Sequence, residues 1–132
     1  MKQSTILLIK EDEKGIENIK QQLIDKIPDH KLHIAYNEVD ALTLLTIDNV
    51  TVDVILLDIN TPRMNGIDFL RIIKSYHSFK NIKVFILTTS EEVYAKIATQ
   101  NMGVRGYIVK PLNFKNKNSL GAQLLLADLL YY

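Results

Sequence analysis

Short apolar runs alternate with stretches of helical periodicity along the whole of this 132-residue chain. The runs at 5–9, 52–59 and 82–89 are mostly apolar and rich in β-branched residues, as in strands buried on both faces. Between them, apolar residues recur every three or four positions, which is the spacing of a helix with one buried side. Strands that alternate with helices in this way predict a parallel sheet covered on both faces.

The pattern predicts five strands and five helices, a (βα)5 doubly wound α/β fold. The predicted strands cover 5–9, 32–36, 52–59, 82–89 and 106–110. The predicted helices contain 16–27, 38–45, 67–73, 90–102 and 119–132. Ser90 and the two acids after it are typical of a helix start, and Gly103 is typical of a helix end. Because the chain contains no linker, repeat or low-complexity segment, we expect a single domain over 1–132.

Charge and composition exclude several classes of function. The net charge of +1 gives no electrostatic footprint for nucleic acid or an anionic membrane, so neither is expected as a partner. The chain has no cysteine, which excludes disulfides and thiol chemistry. The apolar run near the amino terminus is too short for a signal peptide or a membrane span, and we expect a cytoplasmic protein.

Polar residues follow the predicted strands at the points where those strands end. Lys10, Glu11 and Asp12 follow the first strand, Asp58 ends the third, and further polar residues follow the fourth and fifth. Carboxyl ends of parallel strands meet at one edge of the sheet, where open α/β folds bind ligands. Carboxylates bind hard cations such as Mg²⁺, and an aspartate can itself be a nucleophile. A lysine and a hydroxyl suit phosphoryl oxygens. The inventory therefore fits a phosphoryl group with Mg²⁺.

Three segments resemble the receiver domains of two-component response regulators. They are DVILLDINTPRMNG at 53–66, FILTTS at 85–90 and GYIVKP at 106–111. Thr88 lies 30 residues after Asp58, and Lys110 lies 22 residues after Thr88, as in that family. The resemblance covers residues 4–115 and is greatest to stand-alone receivers associated with phytochrome-type kinases. It implies the flavodoxin-like strand order 2-1-3-4-5.

The resemblance also implies roles for the residues at the strand ends. Asp58 would accept a phosphoryl group from a histidine kinase or a phosphotransfer protein. Lys110 would pair with that group, and Thr88 would hydrogen-bond it and be drawn inward. Tyr107 would change rotamer when Asp58 is phosphorylated and would thereby report the modification. The peptide bond before Pro111 would be cis.

The same resemblance implies a Mg²⁺ site and its neighbours. Glu11 and Asp12, with Asp58 and the backbone carbonyl of Asn60, would supply the oxygen ligands. The side chains of Asn60 and Thr89 would flank the site and tune how water reaches the acyl phosphate.

Lys10 departs from the family pattern, which places two adjacent acids directly after the first strand. In an ungapped register the pair becomes Lys10-Glu11, so a cation replaces one acid. In a register shifted by one, the pair is Glu11-Asp12 and Lys10 occupies the last, normally buried strand position, where an unpaired lysine is costly. We favour the ungapped register, in which Lys10 weakens Mg²⁺ binding but can swing toward solvent on its long stem. Asp12 would then supply an oxygen through water.

The last predicted helix carries only one charge, Asp128, between Gly121 and Tyr132. It is apolar on more than one face, whereas a surface helix normally has one apolar stripe. Two interpretations stand: a helix packed tightly onto the sheet, or a partner surface that supports a weak homodimer together with the fifth strand.

The sequence thus predicts a single-domain receiver without an output domain. It would signal to an unknown downstream protein through contacts that depend on phosphorylation, and it would catalyse only its own phosphorylation and dephosphorylation. One alternative is a pseudo-receiver that binds partners without metal-dependent phosphorylation. Another is a haloacid-dehalogenase-type phosphatase using residues 58–62, although Asn60 stands where that family has a second aspartate. A flavodoxin is disfavoured because the acidic segment after the first strand has the wrong charge for a flavin phosphate.

Overall fold

The computed structural model describes residues 3–59, 66–89 and 99–131, and the statements below concern these residues. Its strands are β1 (Ser4–Ile9), β2 (His30–Ala35), β3 (Val54–Asp58), β4 (Lys83–Thr88) and β5 (Gly106–Val109). Its helices are α1 (Glu13–Lys26), α2 (Glu38–Thr46), α3 (Gly66–Ser75) and α4 (Leu120–Tyr131). The predicted helix at 90–102, with its start at Ser90, lies almost wholly outside the described residues.

The five strands form one sheet in the order β2-β1-β3-β4-β5, and every neighbouring pair is parallel. This confirms the predicted flavodoxin-like order. Ile9, the last residue of β1, pairs with Ala35 of β2 and Leu57 of β3. Asp58 pairs with Leu87 of β4. The register therefore brings the carboxyl ends of the central strands to the same edge of the sheet.

Two hydrophobic cores lie on opposite faces of the sheet, as a doubly wound fold requires. Alternate residues of each strand enter different cores, because successive side chains of a strand point to opposite faces. In β1, Leu8 packs with the buried residues of α1 and α4, whereas Leu7 packs with those of α2 and α3. Both residues are fully buried, which accounts for the continuous apolar character of the central strands. Within the described residues no helix is long and apolar enough to cross a bilayer.

Helix α1 begins where the acidic segment after β1 ends. Asp12 is its N-cap, and the Oδ2 atom of Asp12 accepts a hydrogen bond from the Gly15 amide at 2.9 Å. Such a cap satisfies one of the amides that the first turn leaves without a helical partner. The helix buries Ile16, Ile19 and Leu23 against the sheet, as their spacing predicts. Asp12 is thus fixed beside the end of β1.

The single charged side chain of α4 forms ion pairs that hold the helix against the sheet. Asp128 is buried, and its carboxylate accepts two hydrogen bonds from the Arg105 guanidinium, at 2.9 Å from Nε and 3.0 Å from Nη2. Lys83 Nζ lies 3.7 Å from the same carboxylate. The Arg105 hydrogen bonds hold the pKa of Asp128 below its usual value, so the pair stays ionised at neutral pH. Leu125 and Leu129 are buried beside it. Much of α4 therefore packs onto the sheet, although Leu120 and Leu130 are exposed.

Candidate functional site

Three side chains from separate strand ends meet at the carboxyl edge of the sheet. Asp58 is the last residue of β3, while Lys10 and Lys110 follow directly after β1 and β5. The backbone holds both lysines in place: the Lys10 amide donates to the Ala35 carbonyl at 3.0 Å, and the Lys110 amide donates to the Thr88 carbonyl at 2.8 Å. The rigid sheet thus positions one carboxylate between two ammonium groups.

Asp58 is buried, and both of its carboxylate oxygens accept hydrogen bonds from lysines. Lys110 Nζ lies 3.0 Å from Oδ1 and 3.1 Å from Oδ2. Lys10 Nζ lies 2.9 Å from Oδ2. Charge-assisted hydrogen bonds of this length are strong in a buried site. The carboxylate is therefore held by two cations in a fixed orientation.

The ammonium of Lys10 bridges two carboxylates. Besides Asp58, it contacts Asp12 Oδ1 at 2.9 Å, while its side chain is only 6% exposed. Burial alone would lower the pKa of Lys10, but the hydrogen bonds and charges of Asp58 and Asp12 outweigh it and raise that pKa. The same contact lowers the pKa of Asp12. Lys10, Asp12, Asp58 and Lys110 form what we call the four-charge cluster.

This position of Lys10 corrects one expectation and bears on the register. The expected swing toward solvent is wrong, because the side chain turns inward onto Asp58. Strand β1 ends at Ile9 and Lys10 follows it, as in the ungapped register, but Lys10 is buried, as in the shifted one, so the register stays a prediction. The cost of burying a lysine is offset because the ammonium is paired twice.

The remaining predicted residues lie around this cluster. Thr88 is fully buried, and its hydroxyl donates to the carbonyl of the exposed Thr89 at 3.2 Å. The Tyr107 hydroxyl lies 2.6 Å from Thr99 Oγ1. The Lys110–Pro111 peptide bond is cis, as the resemblance implies.

The residues assigned to Mg²⁺ do not fit a divalent cation as they lie. The ammonium of Lys10 already pairs with the carboxylates of Asp12 and Asp58, which would otherwise be available to hold a cation. The side chain of Glu11 is exposed, and Asn60 lies outside the described residues. Among the residues that the structure describes, no three His, Cys, Asp or Glu side chains gather into a metal-ligand cluster.

A cleft of about 550 Å³ opens beside the four-charge cluster. Lys10, Lys14, Asp12 and Lys110 contribute to its walls, so cations outnumber acids there. Gly15 also lines it, and sequence reasoning did not identify this glycine as part of the site. A glycine in the first turn of a helix is a signal that could have found it, because glycine is disfavoured in helices.

The chain belongs to the response-regulator receiver family. The model of the response regulator receiver domain matches residues 6–119. The chemotaxis protein CheY1 of Helicobacter pylori is 30% identical over 105 residues, which cover 80% of this chain and 84% of that protein.

Solved structures agree with this assignment. A two-component response regulator from Legionella pneumophila superposes with a TM-score of 0.82 at 31% identity, covering 96% of this chain and 99% of that one. The Mn²⁺-bound form of response regulator Rcp1 superposes with a TM-score of 0.77 at 28% identity, covering 95% of this chain and 91% of that one. Receiver domains are signalling modules that interact with histidine kinases or phosphotransfer proteins, and they generally bind Mg²⁺.

Proposed function

We propose that this receiver accepts a phosphoryl group on Asp58 from a histidine kinase or a phosphotransfer protein. The observation that carries the proposal is the Asp58 carboxylate at the end of β3, with the Lys110 ammonium 3.0 and 3.1 Å from its two oxygens. A carboxylate oxygen can attack the phosphorus atom, and a fixed ammonium stabilises the negative charge that the phosphoryl oxygens carry.

The proposed reaction transfers one phosphoryl group from the donor to Asp58. A P–O bond forms to Asp58, the bond from phosphorus to the donor nitrogen breaks, and its electron pair stays on that nitrogen. The cleft beside the four-charge cluster is lined by Lys10 and Lys110, the two lysines that contact the carboxylate. Hydrolysis by water would later restore Asp58, and Thr89, with Asn60, is proposed to tune the access of that water.

The proposed signal is a change of surface contacts toward an unknown downstream protein. Thr88 lies at the end of β4, next to the strand that carries Asp58, and its hydroxyl now donates to the Thr89 carbonyl. We infer that this hydroxyl turns to a phosphoryl oxygen once Asp58 is modified. Movement of Thr88 would then alter the packing of Tyr107, whose hydroxyl is held by Thr99 at 2.6 Å. The protein would catalyse only its own phosphorylation and dephosphorylation and would act on no separate substrate.

Mass spectrometry of the intact protein tests the assignment. After incubation with phosphoramidate in the presence of Mg²⁺, the mass should rise by one phosphoryl group. Borohydride reduces an acyl phosphate to an alcohol, so peptide mapping should then find homoserine at position 58. A gain in mass with the modified peptide elsewhere in the chain would contradict the assignment.

A pseudo-receiver remains the second candidate, and one observation favours it. The ammonium of Lys10 already occupies Asp58 Oδ2 at 2.9 Å, which could keep that carboxylate from reacting. If the mass of the protein does not rise under any condition, that result would support this candidate. The family match favours both over a haloacid-dehalogenase-type phosphatase. The cytoplasmic location and the single-domain organisation stay predictions.

We also propose weak self-association through the face formed by β5 and α4. Val109, Leu120 and Leu130 remain exposed on these elements, at 43%, 83% and 49%. Each apolar Å² removed from water contributes about 25 cal/mol, so such a small set supports only a weak dimer. Sedimentation with and without phosphorylation should show a concentration-dependent shift. A monomer at all concentrations in both states would leave packing as the only role of the α4 leucines.

A further inference from the structure

We propose that the Lys10 ammonium is the resident cation of this site and replaces the divalent metal, so that Asp58 is phosphorylated without Mg²⁺. The inference rests on the proposed phosphorylation of Asp58. Its starting point is the position of Lys10 Nζ, 2.9 Å from Asp58 Oδ2 and 2.9 Å from Asp12 Oδ1. A metal held by those two carboxylates would have to displace this ammonium.

The fold provides a space for this side chain. A Cβ atom on Gly15 would lie 2.0 Å from Lys10 Cε, 2.7 Å from Asp12 Oδ2 and 2.9 Å from Lys10 Nζ. Glycine at this position leaves room for the lysine as it lies here, although alanine would favour the helix by about 0.5–1 kcal/mol. The inward lysine and the glycine in the first turn of α1 thus form one structural unit.

The charges agree with a site that needs no further cation. Lys10 and Lys110 contribute two positive charges and Asp12 and Asp58 two negative ones, so the four-charge cluster is neutral. The neutral cluster by itself gives a divalent ion no net attraction, which leaves the exposed Glu11 as the acid that would attract one, and the ammonium of Lys10 repels it at short range. Replacing Lys10 with aspartate would change the charge of the cluster from 0 to −2.

The ammonium of Lys10 has the donors that the reaction requires. A lysine carries three N–H donors, and within the described residues Lys10 uses two of them, on Asp58 and Asp12. The third can meet a phosphoryl oxygen as Asp58 attacks phosphorus, while Lys110 meets a second. Two fixed ammonium groups then stabilise the transferring group, which is largely an electrostatic task.

The test compares the wild type with Lys10→Asp, using phosphoramidate in Mg²⁺ or in EDTA. The wild-type rate of mass gain should change by less than about two-fold between the two conditions, because no step needs the metal. Lys10→Asp should react only with Mg²⁺. Equal dependence on Mg²⁺ in the two proteins would overturn the inference and leave the proposed function intact.

Calorimetric titration with Mg²⁺ gives a readout that does not depend on phosphorylation. Lys10→Asp should bind Mg²⁺ at least about ten-fold more tightly than the wild type, since the variant gains a ligand and loses a like charge. Lys31→Asp makes the same charge change on an exposed part of β2 and should leave the affinity unchanged. If no protein gains mass under any condition, the proposed function fails, and this titration alone decides whether Lys10 replaces the metal. Equal Mg²⁺ affinities in the wild type and Lys10→Asp would overturn the inference that Lys10 replaces the metal.

Gly15→Ala keeps the test decisive if Lys10→Asp does not fold. The added methyl meets Lys10 Cε and Asp12 Oδ2 and so displaces the ammonium from its bridge without changing the charge of the chain. This variant should lose most of its phosphorylation in EDTA and regain it with Mg²⁺. Wild-type behaviour in Gly15→Ala would show that Lys10 does not act from this position.

Discussion

Replacing Asp58 with asparagine is expected to abolish phosphorylation and to lower the free energy of unfolding by about 2 kcal/mol. The first effect follows because an amide oxygen does not form the acyl phosphate. The second follows because Lys10 and Lys110 would lose a shared carboxylate at 2.9–3.1 Å. Breaking a buried ion pair costs about 3–5 kcal/mol, and Lys110, at 23% exposure, recovers part of this by hydration. Intact mass and urea unfolding measure the two effects.

The Lys10→Asp background provides a matched control for the stability effect. There, Asp58 would face the new aspartate and Asp12 and keep Lys110 as its partner, so Asp58→Asn should relieve repulsion as well as break the Lys110 pair. The same substitution should therefore cost less stability without Mg²⁺ in this background than in the wild type. Stabilisation by Asp58→Asn in the wild-type background would contradict the pairing of Asp58 with Lys10.

Regular features of the chain made most of the fold and the site residues predictable. Continuous apolar runs identify buried parallel strands, and the carboxyl ends of such strands meet at one edge. The apolar runs therefore placed Asp58, Thr88 and Lys110 at strand ends, whereas the strand order and the roles of these residues came from the resemblance to receiver domains. Strand β2 was less well placed, at 32–36 instead of His30–Ala35, because its burial is partial and its periodicity weak.

The direction of the Lys10 side chain could not be predicted in the same way. A lysine after a strand normally extends into water, which is the lower-energy choice for an unpaired ammonium. Here it turns inward because two carboxylates receive it and because Gly15, five residues along the chain, leaves room. Such a result depends on three-dimensional contacts between β1, α1 and β3, and none of the three segments shows it alone.

The role of Gly121 in α4 likewise could not be predicted from the sequence, because a glycine within an apolar helix is normally destabilising. In the structure it lies where α4 crosses the backbone of β5. A Cβ atom at this position would be 1.8 Å from the Tyr107 carbonyl oxygen, 2.7 Å from its carbonyl carbon and 3.0 Å from Ile108 Cγ1. The close approach lets α4 bury Leu125 and deliver Asp128 to Arg105.

Gly121→Ala is therefore expected to destabilise the protein by about 3 kcal/mol or more, because the clash is with backbone, which cannot rotate away as a side chain can. Helix propensity acts in the opposite direction, favouring alanine by about 1 kcal/mol at most. Urea unfolding followed by circular dichroism decides which effect dominates. Leu120→Ala, next in sequence and 83% exposed, is the control and should change stability by less than about 0.5 kcal/mol. If Gly121→Ala were as stable as the wild type or more so, α4 would not lie against the Tyr107 carbonyl, and its leucines would be available for a partner.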